Sequence, residues 1–165
     1  MTDWHDFCDR LRDLGDGIVD MPGVRSEQDV VNGYRHLLLL LSGAIQESVA
    51  HSDRSSPSIY RHNTDAAQWG APNTDNTYWR AKIDPAGTYV LRGRVPDQRP
   101  FLVQLPEGEM HLQQYGSAGE ITSDDLHIEP DGSFELVVSA ESHEGNWLGI
   151  EGPCDHVSIR EYFLD

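Results

Sequence analysis

The sequence predicts an α+β protein in which an N-terminal helical subdomain precedes an antiparallel β-sandwich or jelly-roll-like domain. Two patterns support this fold class. Over the first third of the chain, apolar residues recur at the three- and four-residue spacing of helices. From about His51 onward, glycine and proline separate short segments in which apolar and polar residues alternate, as they do in strands. We place the helical subdomain at residues 1–55 and the β-sandwich domain at residues 56–165.

The first predicted element is a short amphipathic helix. Its apolar residues follow the spacing of one helical face and are Trp4, Phe7, Cys8, Leu11 and Leu14. Gly15 and Gly17 come next, and because glycine favours the end of a helix, we expect the helix to stop there.

A second helix is expected to begin after Ser26, whose hydroxyl can cap it and which is followed three residues later by a carboxylate. Its apolar stripe consists of Val30, Tyr34, Leu37, Leu38, Leu41 and Ile45. Leu39 and Leu40 widen this stripe beyond the needs of a one-sided helix, so we expect burial on two sides. Gly33 and Gly43 indicate either close packing at those points or an internal break.

Short antiparallel strands are predicted for the rest of the chain. The first two flank Asp84, Pro85 and Gly87, whose turn propensities indicate a hairpin. The seven predicted strands cover residues 77–83, 88–95, 101–105, 110–115, 126–128, 134–138 and 157–164. A series of such strands is typical of a sandwich or a jelly roll.

The composition excludes several classes of partner and location. The chain has 28 acidic against 12 basic residues and a net charge of -16, so it would repel both nucleic acids and anionic membrane surfaces. Its longest apolar run, residues 37–41, is far shorter than the ~20 residues that cross a bilayer. The acidic start lacks the features of a secretory signal, which predicts a cytoplasmic location. Cys8 and Cys154 are expected to be free thiols there.

Familiar catalytic and metal-binding motifs are not found in the sequence. A Walker loop requires a Gly-Lys pair, but the only lysine, Lys82, follows alanine. The order of helices and strands excludes a Rossmann fold, and there is no Gly-x-Ser-x-Gly elbow. His143-Glu144 begins like a zinc-protease motif, but Trp147 stands where the second histidine is required. The eight histidines show no ligand spacing and the loop at Asn73 lacks the glycine and glutamate of a calcium loop, so we expect no metal and no cofactor.

Two segments carry a family resemblance. In the family pattern, an Asn-x-Asp-x-x-Tyr segment opens a strand, an Asp-Gly turn and strand precede an Asn-Trp pair, and the closing strand holds an arginine and an aromatic residue. Here these elements are Asn73, Asp75 and Tyr78, then residues 130–134, then Asn146 and Trp147, then Arg160 and Tyr162. Over residues 60–165 the chain therefore resembles the bacterial domain of unknown function 1214 proteins, often found with domain of unknown function 1254. The resemblance implies a β-sandwich fold and no particular activity.

The same segments supply the candidate ligand-binding residues, namely Asn73, Asp75, Asn76, Tyr78, Arg80, Asn146, Trp147 and Arg160. In the functional interpretation the two segments meet in space. Tyr78 and Arg80, two residues apart, point to one face of their strand, and Arg80 orients a carboxylate or carbonyl group of the ligand. His143 or Glu144 would then act as the general acid or base.

A structural interpretation competes with each of these assignments. Asn and Asp side chains bond to nearby backbone groups, so residues 73–76 would form a turn that sets the register of the first strand. Trp147 would be a core residue whose indole nitrogen bonds within the fold. Arg160 would be paired with one of the many carboxylates.

Three functional hypotheses follow. The first is a small-molecule-binding domain whose pocket lies between the helices and the sheet and accepts a mainly apolar molecule with one polar end; whether it is also an enzyme stays open. Its basis is the group of aromatic residues Trp69, Tyr78, Trp79 and Trp147. The second is a non-enzymatic interaction or assembly module, such as a homo-oligomer, that docks through the leucine-rich second helix. The third is an enzyme assisted by a metal ion held by histidines and carboxylates.

Overall fold

Helices occupy the first part of the chain and strands the remainder in the computed structural model, which describes residues 3–64, 66–67, 73–95 and 99–163. The helices are α1 (Trp4–Val19) and α2 (Glu27–Ile45), and α2 continues into a π-helical turn, Gln46–Ala50, which we name the π turn. Within the described ranges, no helix combines the length and the apolar character needed to cross a membrane.

Both helices begin at a side-chain cap. Asp3 accepts a hydrogen bond from the backbone N–H of Asp6 at the start of α1. Ser26 accepts one from the N–H of Asp29 at the start of α2, which confirms the predicted cap. These bonds satisfy N–H groups that have no partner inside the helix.

The first helix runs past the glycines at which it was expected to end. α1 passes through Gly15 and Gly17 and ends at Val19. The extra turn has a packing reason, because it brings the buried side chain of Ile18 against Gly33 of α2. A Cβ atom on Gly33 would lie 2.5 Å from Cγ2 of Ile18, so this glycine marks close packing, one of the two expected explanations.

The second helix is not buried on two sides, contrary to the expectation from its wide apolar stripe. None of its residues is buried, and the side chains of Val31 and Leu38 remain 58% and 63% exposed. The reason is that α1 packs along one side of α2, and a single neighbouring helix covers a single side.

Eight strands form two sheets in the described residues. They are β1 (Tyr60–Arg61), β2 (Asn76–Lys82), β3 (Tyr89–Arg94), β4 (Phe101–Pro106), β5 (Ser117–Thr122), β6 (Ser133–Ser139), β7 (Trp147–Gly149) and β8 (His156–Tyr162). The larger sheet has the order β1-β2-β8-β4-β5 and the smaller one the order β3-β6-β7. Neighbouring strands are antiparallel except β6 and β7. Two helices followed by two mostly antiparallel sheets confirm the predicted α+β fold class.

The hydrophobic core lies between the two sheets. The ring of Phe101 on β4 stacks on that of Phe134 on β6, with their centroids 5.2 Å apart, and so joins the sheets directly. Val103 and Leu105 of β4 alternate with less buried neighbours, as do Leu136 and Val138 of β6. This alternation is expected of strands that turn one face to a core.

The predicted hairpin around residue 85 is wrong, although its turn is present. The N–H of Gly87 donates a hydrogen bond to the carbonyl oxygen of Asp84, at 2.8 Å. The strands on either side do not pair with each other: β2 pairs with β1 and β8, whereas β3 pairs with β6. The turn is therefore a corner of the sandwich, where the chain passes from one sheet to the other.

Five other strand assignments need correction. Residues 110–115 contain the 3₁₀ turn Met110–Leu112, which is closed by Gln113 in the left-handed conformation. Residues 126–128 belong to none of the described strands, although Leu126 packs in the core. The strands β1, β5 and β7 were not predicted, because β5 is mostly polar and the other two have only two and three residues.

Candidate functional site

The outer face of the larger sheet, which points away from the core, carries a group of polar side chains. Tyr60 on β1 lies opposite Arg80 on β2, and Lys82 on β2 lies opposite His156 on β8. Cross-strand partners and residues two apart along a strand share a face, so these four side chains lie on one side of the sheet. Val157, the residue after His156, points to the other side and belongs to the core. Glu47 of the π turn contacts Arg80 and Lys82 on this face. We name this polar contact region between the π turn and the outer face the polar junction.

Five charged side chains form what we name the ion cluster: Glu47, Arg80, Lys82, Glu109 and Asp155. Nη1 of Arg80 lies 2.7 Å from Oε1 of Glu109 and 3.2 Å from Oε1 of Glu47. Nζ of Lys82 lies 2.7 Å from Oε1 of Glu47 and 3.0 Å from Oδ2 of Asp155. Three carboxylates and two cations leave the cluster with a formal charge of -1.

Burial and pairing have opposite effects on the protonation of the cluster. Burial alone would raise the pKa of Glu47, but the hydrogen bond from Lys82 and the charge of Arg80 lower it overall. The hydrogen bond with His156 holds the pKa of Asp155 well below its usual range, against the effect of burial. Burial would lower the pKa of Lys82, but its bonds to Glu47 and Asp155 raise it. These groups therefore stay charged near neutral pH, and Lys82 is not an activated amine nucleophile.

His156 is fully buried beside the ion cluster, with 0% of its surface exposed. Its Nδ1 lies 2.6 Å from Oδ1 of Asp155, and its Nε2 has no hydrogen-bond partner among the described residues. The hydroxyl of Tyr60 and Nε of Arg80 are also buried and without a partner within those ranges. Buried polar atoms of this kind are uncommon, and they mark places where water, an ion or a polar ligand can bind.

The first sequence-predicted segment forms a turn that leads into β2. Oδ1 of Asn73 accepts a hydrogen bond from the N–H of Asp75 at 2.9 Å, which is an Asx turn. Nδ2 of Asn73 donates to the hydroxyl of Tyr78 at 3.0 Å, and the guanidinium of Arg160 lies 5.2 Å from the centre of the Tyr78 ring. Asn76 begins β2. Trp69 lies outside the described residues.

The second predicted segment belongs to the smaller sheet. Oδ1 of Asn146 accepts a hydrogen bond from the N–H of His127, and its Nδ2 donates to the carbonyl oxygens of His127 and Glu135. Nε1 of Trp147 donates to Oγ of Ser139 at 3.1 Å. His143 lies in an exposed loop, as does the neighbouring glutamate at position 144.

The expected single site made of both segments is not formed in the structure. Asn73 lies before β2 and Tyr78 within it, in the larger sheet, whereas Asn146 and Trp147 lie on β7 or directly before it, at the edge of the smaller sheet. Among the described residues, no hydrogen bond, ion pair or ring contact joins the segments. The reason is that β2 and β7 belong to different sheets, so each segment bonds to neighbours in its own sheet.

A mainly apolar cavity of about 250 Å³ lies between the two sheets. Its lining residues are Ile59, Trp79, Leu91, Arg92, Gly93, Arg94, Val95, Phe101, Phe134, Ile159 and Glu161. Trp79 reaches it because this residue points to the face opposite to Tyr78 and Arg80, and its Nε1 donates to Oε2 of Glu161 at 3.0 Å. The cavity and the ion cluster are thus on opposite faces of β2.

Most of the polar junction could not be predicted from the sequence. Arg80 was the one member of the ion cluster among the candidate residues, because Glu47, Glu109 and Asp155 come from segments far apart in the chain. One usable signal was the single lysine of the sequence, which lies in a strand between apolar neighbours. Such a cation must pair when it is buried, but spacing alone cannot identify its partners.

One solved structure supports the fold. A crystal structure of an uncharacterised protein from Burkholderia cenocepacia matches 98% of this chain with a TM-score of 0.86 and 30% sequence identity. The chain spans 45% of the length of that protein. The VPA0106 protein from Vibrio parahaemolyticus matches with a TM-score of 0.45 and 14% identity, over 98% of this chain and 39% of that one. No family model and no curated protein matches the sequence.

Proposed function

We propose that the chain is a small-molecule-binding domain and that its ligand, a small apolar carboxylic acid, occupies the cavity between the sheets. The observation that supports this most is the cavity of about 250 Å³ itself, with its lining of aromatic and aliphatic side chains. A dry apolar cavity of about 150 Å³ can hold benzene, so this volume suits a single ring with a short chain. Apolar walls with a few polar groups are typical of ligand sites.

The polar end of the ligand is expected to lie at the rim of the cavity and to bind Arg94 there, because Arg94 is on the exposed face of β3 and not between the sheets. Two arginines contribute to the lining, and one of them, Arg92, is already paired with the carboxylate of Glu135. Nε of Arg94 donates to the backbone carbonyl oxygen of Asp131 at 2.9 Å, which orients the guanidinium. A guanidinium can bind a carboxylate through two parallel hydrogen bonds. The polar anchor is therefore Arg94, and not Arg80 as the sequence indicated.

Calorimetric titration with 3-phenylpropanoate and with its uncharged amide tests this proposal. The acid should bind more tightly than the amide, and Arg94→Gln should reduce its affinity about tenfold, a loss typical of one charge-assisted bond. Leu91→Trp should fill the cavity and abolish binding while the circular dichroism spectrum is retained. Arg160→Gln, on the outer face, serves as the matched control and should change nothing. Equal binding of the acid and the amide, or unchanged binding in Leu91→Trp, would contradict the proposal.

A second candidate function is self-assembly through the helices. Large apolar side chains on α1, on α2 and in the turn between them are exposed, namely Trp4, Leu14, Val19, Met21, Val31, Tyr34, Leu38, Leu40 and Ile45. We infer that a second copy of the chain covers this surface, because two helical pairs form a four-helix bundle and would give the stripe of α2 its second buried side.

Light scattering after size exclusion distinguishes this candidate. We expect a dimer that strengthens with salt, since each chain carries a net charge of -16 and screening weakens the repulsion. Leu38→Glu should return it to a monomer, whereas Leu102→Glu on the larger sheet should not. A monomer at all salt concentrations would contradict self-assembly.

Family and compartment are also proposals. We propose that the chain is related to the domain of unknown function 1214 proteins, on the basis of the ordered elements around Asn73 and Asn146. We propose a cytoplasmic location because Cys8 and Cys154 are free thiols, as the sequence predicts. Cellular fractionation with an antibody against the chain would test the location.

A further inference from the structure

We propose that Glu109, Asp155 and His156 form a binding site for a divalent transition-metal ion, with Zn²⁺ as its probe. One carboxylate oxygen from each acid and one ring nitrogen of the histidine all lie within 4.8 Å of one another. Two oxygens and one imidazole nitrogen are ligands that suit Zn²⁺ or Mn²⁺. These residues are separate from the cavity, which lies on the other face of the sheet.

The burial of His156 is an independent observation that points to a ligand. Its side chain is fully buried, yet Nε2 has no hydrogen-bond partner in the described part of the chain. A buried polar atom left in this state costs about 1–3 kcal/mol. Oδ1 of Asp155 lies 2.6 Å from Nδ1, so the carboxylate and the ring that would share the ion already face each other.

The ammonium of Lys82 is the built-in competitor of such an ion. It lies 3.0 Å from Oδ2 of Asp155 and 4.0 Å from Oε1 of Glu109, so it already neutralises part of the site. A dication close to it would be repelled. The ammonium can stay paired with Glu47, 2.7 Å away, when the ion takes its place beside Asp155. Arg80, 2.7 Å from Oε1 of Glu109, and Arg54, 3.4 Å from Oδ2 of Asp155, hold the same oxygens, so metal affinity is set by competition with these arginines as well as with Lys82.

This competition can be tested, and the test distinguishes a metal site from ion pairs that only stabilise the fold. Bound metal is first removed from the protein with a chelator. The protein is then titrated with Zn²⁺ by calorimetry, and the bound metal is quantified by elemental mass spectrometry. We expect one ion per chain. Glu109→Gln should weaken binding at least tenfold because it removes a charged ligand, and Lys82→Met should tighten it at least tenfold because it removes the competitor.

His127 and Glu129 provide the matched control, since they are an exposed histidine–carboxylate pair 3.4 Å apart elsewhere on the surface. His127→Gln should leave Zn²⁺ binding unchanged. His156→Asn should abolish it, and if that variant fails to fold, Glu109→Gln decides, because its side chain is only partly buried. No stoichiometric Zn²⁺ in either the wild type or Lys82→Met, binding that survives Glu109→Gln, or weaker binding in Lys82→Met would overturn the proposal.

Discussion

Oε1 of Glu47 lies 2.7 Å from Nζ of Lys82, and this contact attaches the end of the helical part to the outer face of the larger sheet. The same carboxylate is 3.2 Å from the guanidinium of Arg80. One side chain of the π turn therefore pairs with two cations of β2.

Glu47→Gln should destabilise the protein. The change leaves two largely buried cations with fewer partners, and removing one member of a buried pair typically costs about 3–5 kcal/mol. Glu109 and Asp155 still balance part of the charge, so we expect a loss of about 2 kcal/mol in the free energy of unfolding, measured with urea. Glu135→Gln, in the exposed pair with Arg92, should cost less than about 1 kcal/mol. If both variants lose the same free energy of unfolding, burial of the ion cluster does not strengthen its ion pairs.

Acid should destabilise the protein through His62. Burial lowers its pKa to about 4, with the charges of Arg80, Lys82 and His156 adding to burial and that of Glu47 opposing it. The unfolded chain binds the proton at a pKa near 6.5. The stabilisation is therefore complete above about pH 6.5 and is lost as the pH falls toward 4, at most about 3 kcal/mol in total.

Urea unfolding of wild type and His62→Gln at pH 7.5 and pH 5 measures this contribution. The variant should lose less stability than the wild type between the two pH values. His127→Gln, at an exposed histidine, should lose as much as the wild type. If His62→Gln keeps the full pH dependence, other groups are responsible for it.

Gly119→Ala should be strongly destabilising because this glycine lies where the edges of the two sheets meet. A Cβ atom on Gly119 of β5 would collide with the backbone carbonyl oxygen of Gly149 on β7, and backbone cannot easily move aside. Overpacking of this kind costs about 1–3 kcal/mol, measured as the shift of the urea midpoint.

Gly17→Ala is the matched substitution in open space. No atom lies within 4 Å of a Cβ atom built there, and the residue is inside α1. It should stabilise the protein by roughly 0.5–1 kcal/mol, because alanine favours the helix more than glycine does. A loss of stability in Gly17→Ala would mean that α1 does not extend to Val19.

Asn146→Ala should affect stability and not ligand binding. The amide makes three hydrogen bonds to the backbone of His127 and Glu135, at 2.7 to 2.9 Å, and none of these residues lines the cavity. Their loss should cost about 2–3 kcal/mol, while affinity for 3-phenylpropanoate is unchanged. An opposite result, with full stability and lost affinity, would restore the functional interpretation of the Asn-Trp pair.

The features that depend only on neighbouring residues could be predicted from the sequence. The cap at Ser26 and the turn at Asp84 depend on neighbouring residues, and both were found. The pairing of the strands beside that turn depends on distant partners, β6 and β8, and a local pattern does not predict these partners. The same limit applies to α2, whose apolar stripe shows that it requires partners but not where they come from.

The candidate site shows this limit most clearly. Arg80 and Tyr78 were correctly placed on one face of a strand by their two-residue spacing. Which side of the sandwich that face belongs to is set by the pairing of β2 with β8, and the cavity between the sheets lies on the face of β2 opposite to Tyr78 and Arg80. Trp79 was noted for its aromatic ring, yet its role in the cavity follows only from the alternation seen once the sheet is formed.

The burial of the only lysine makes the chain a single-site reporter of its own unfolding. Lys82 is the one position in the sequence that a lysine-specific endoprotease can cut; it is the last residue of β2, and its side chain is held in the ion cluster. Cleavage into two fragments must wait until β2 separates from its neighbours, so the rate of cutting counts opening events at one known peptide bond.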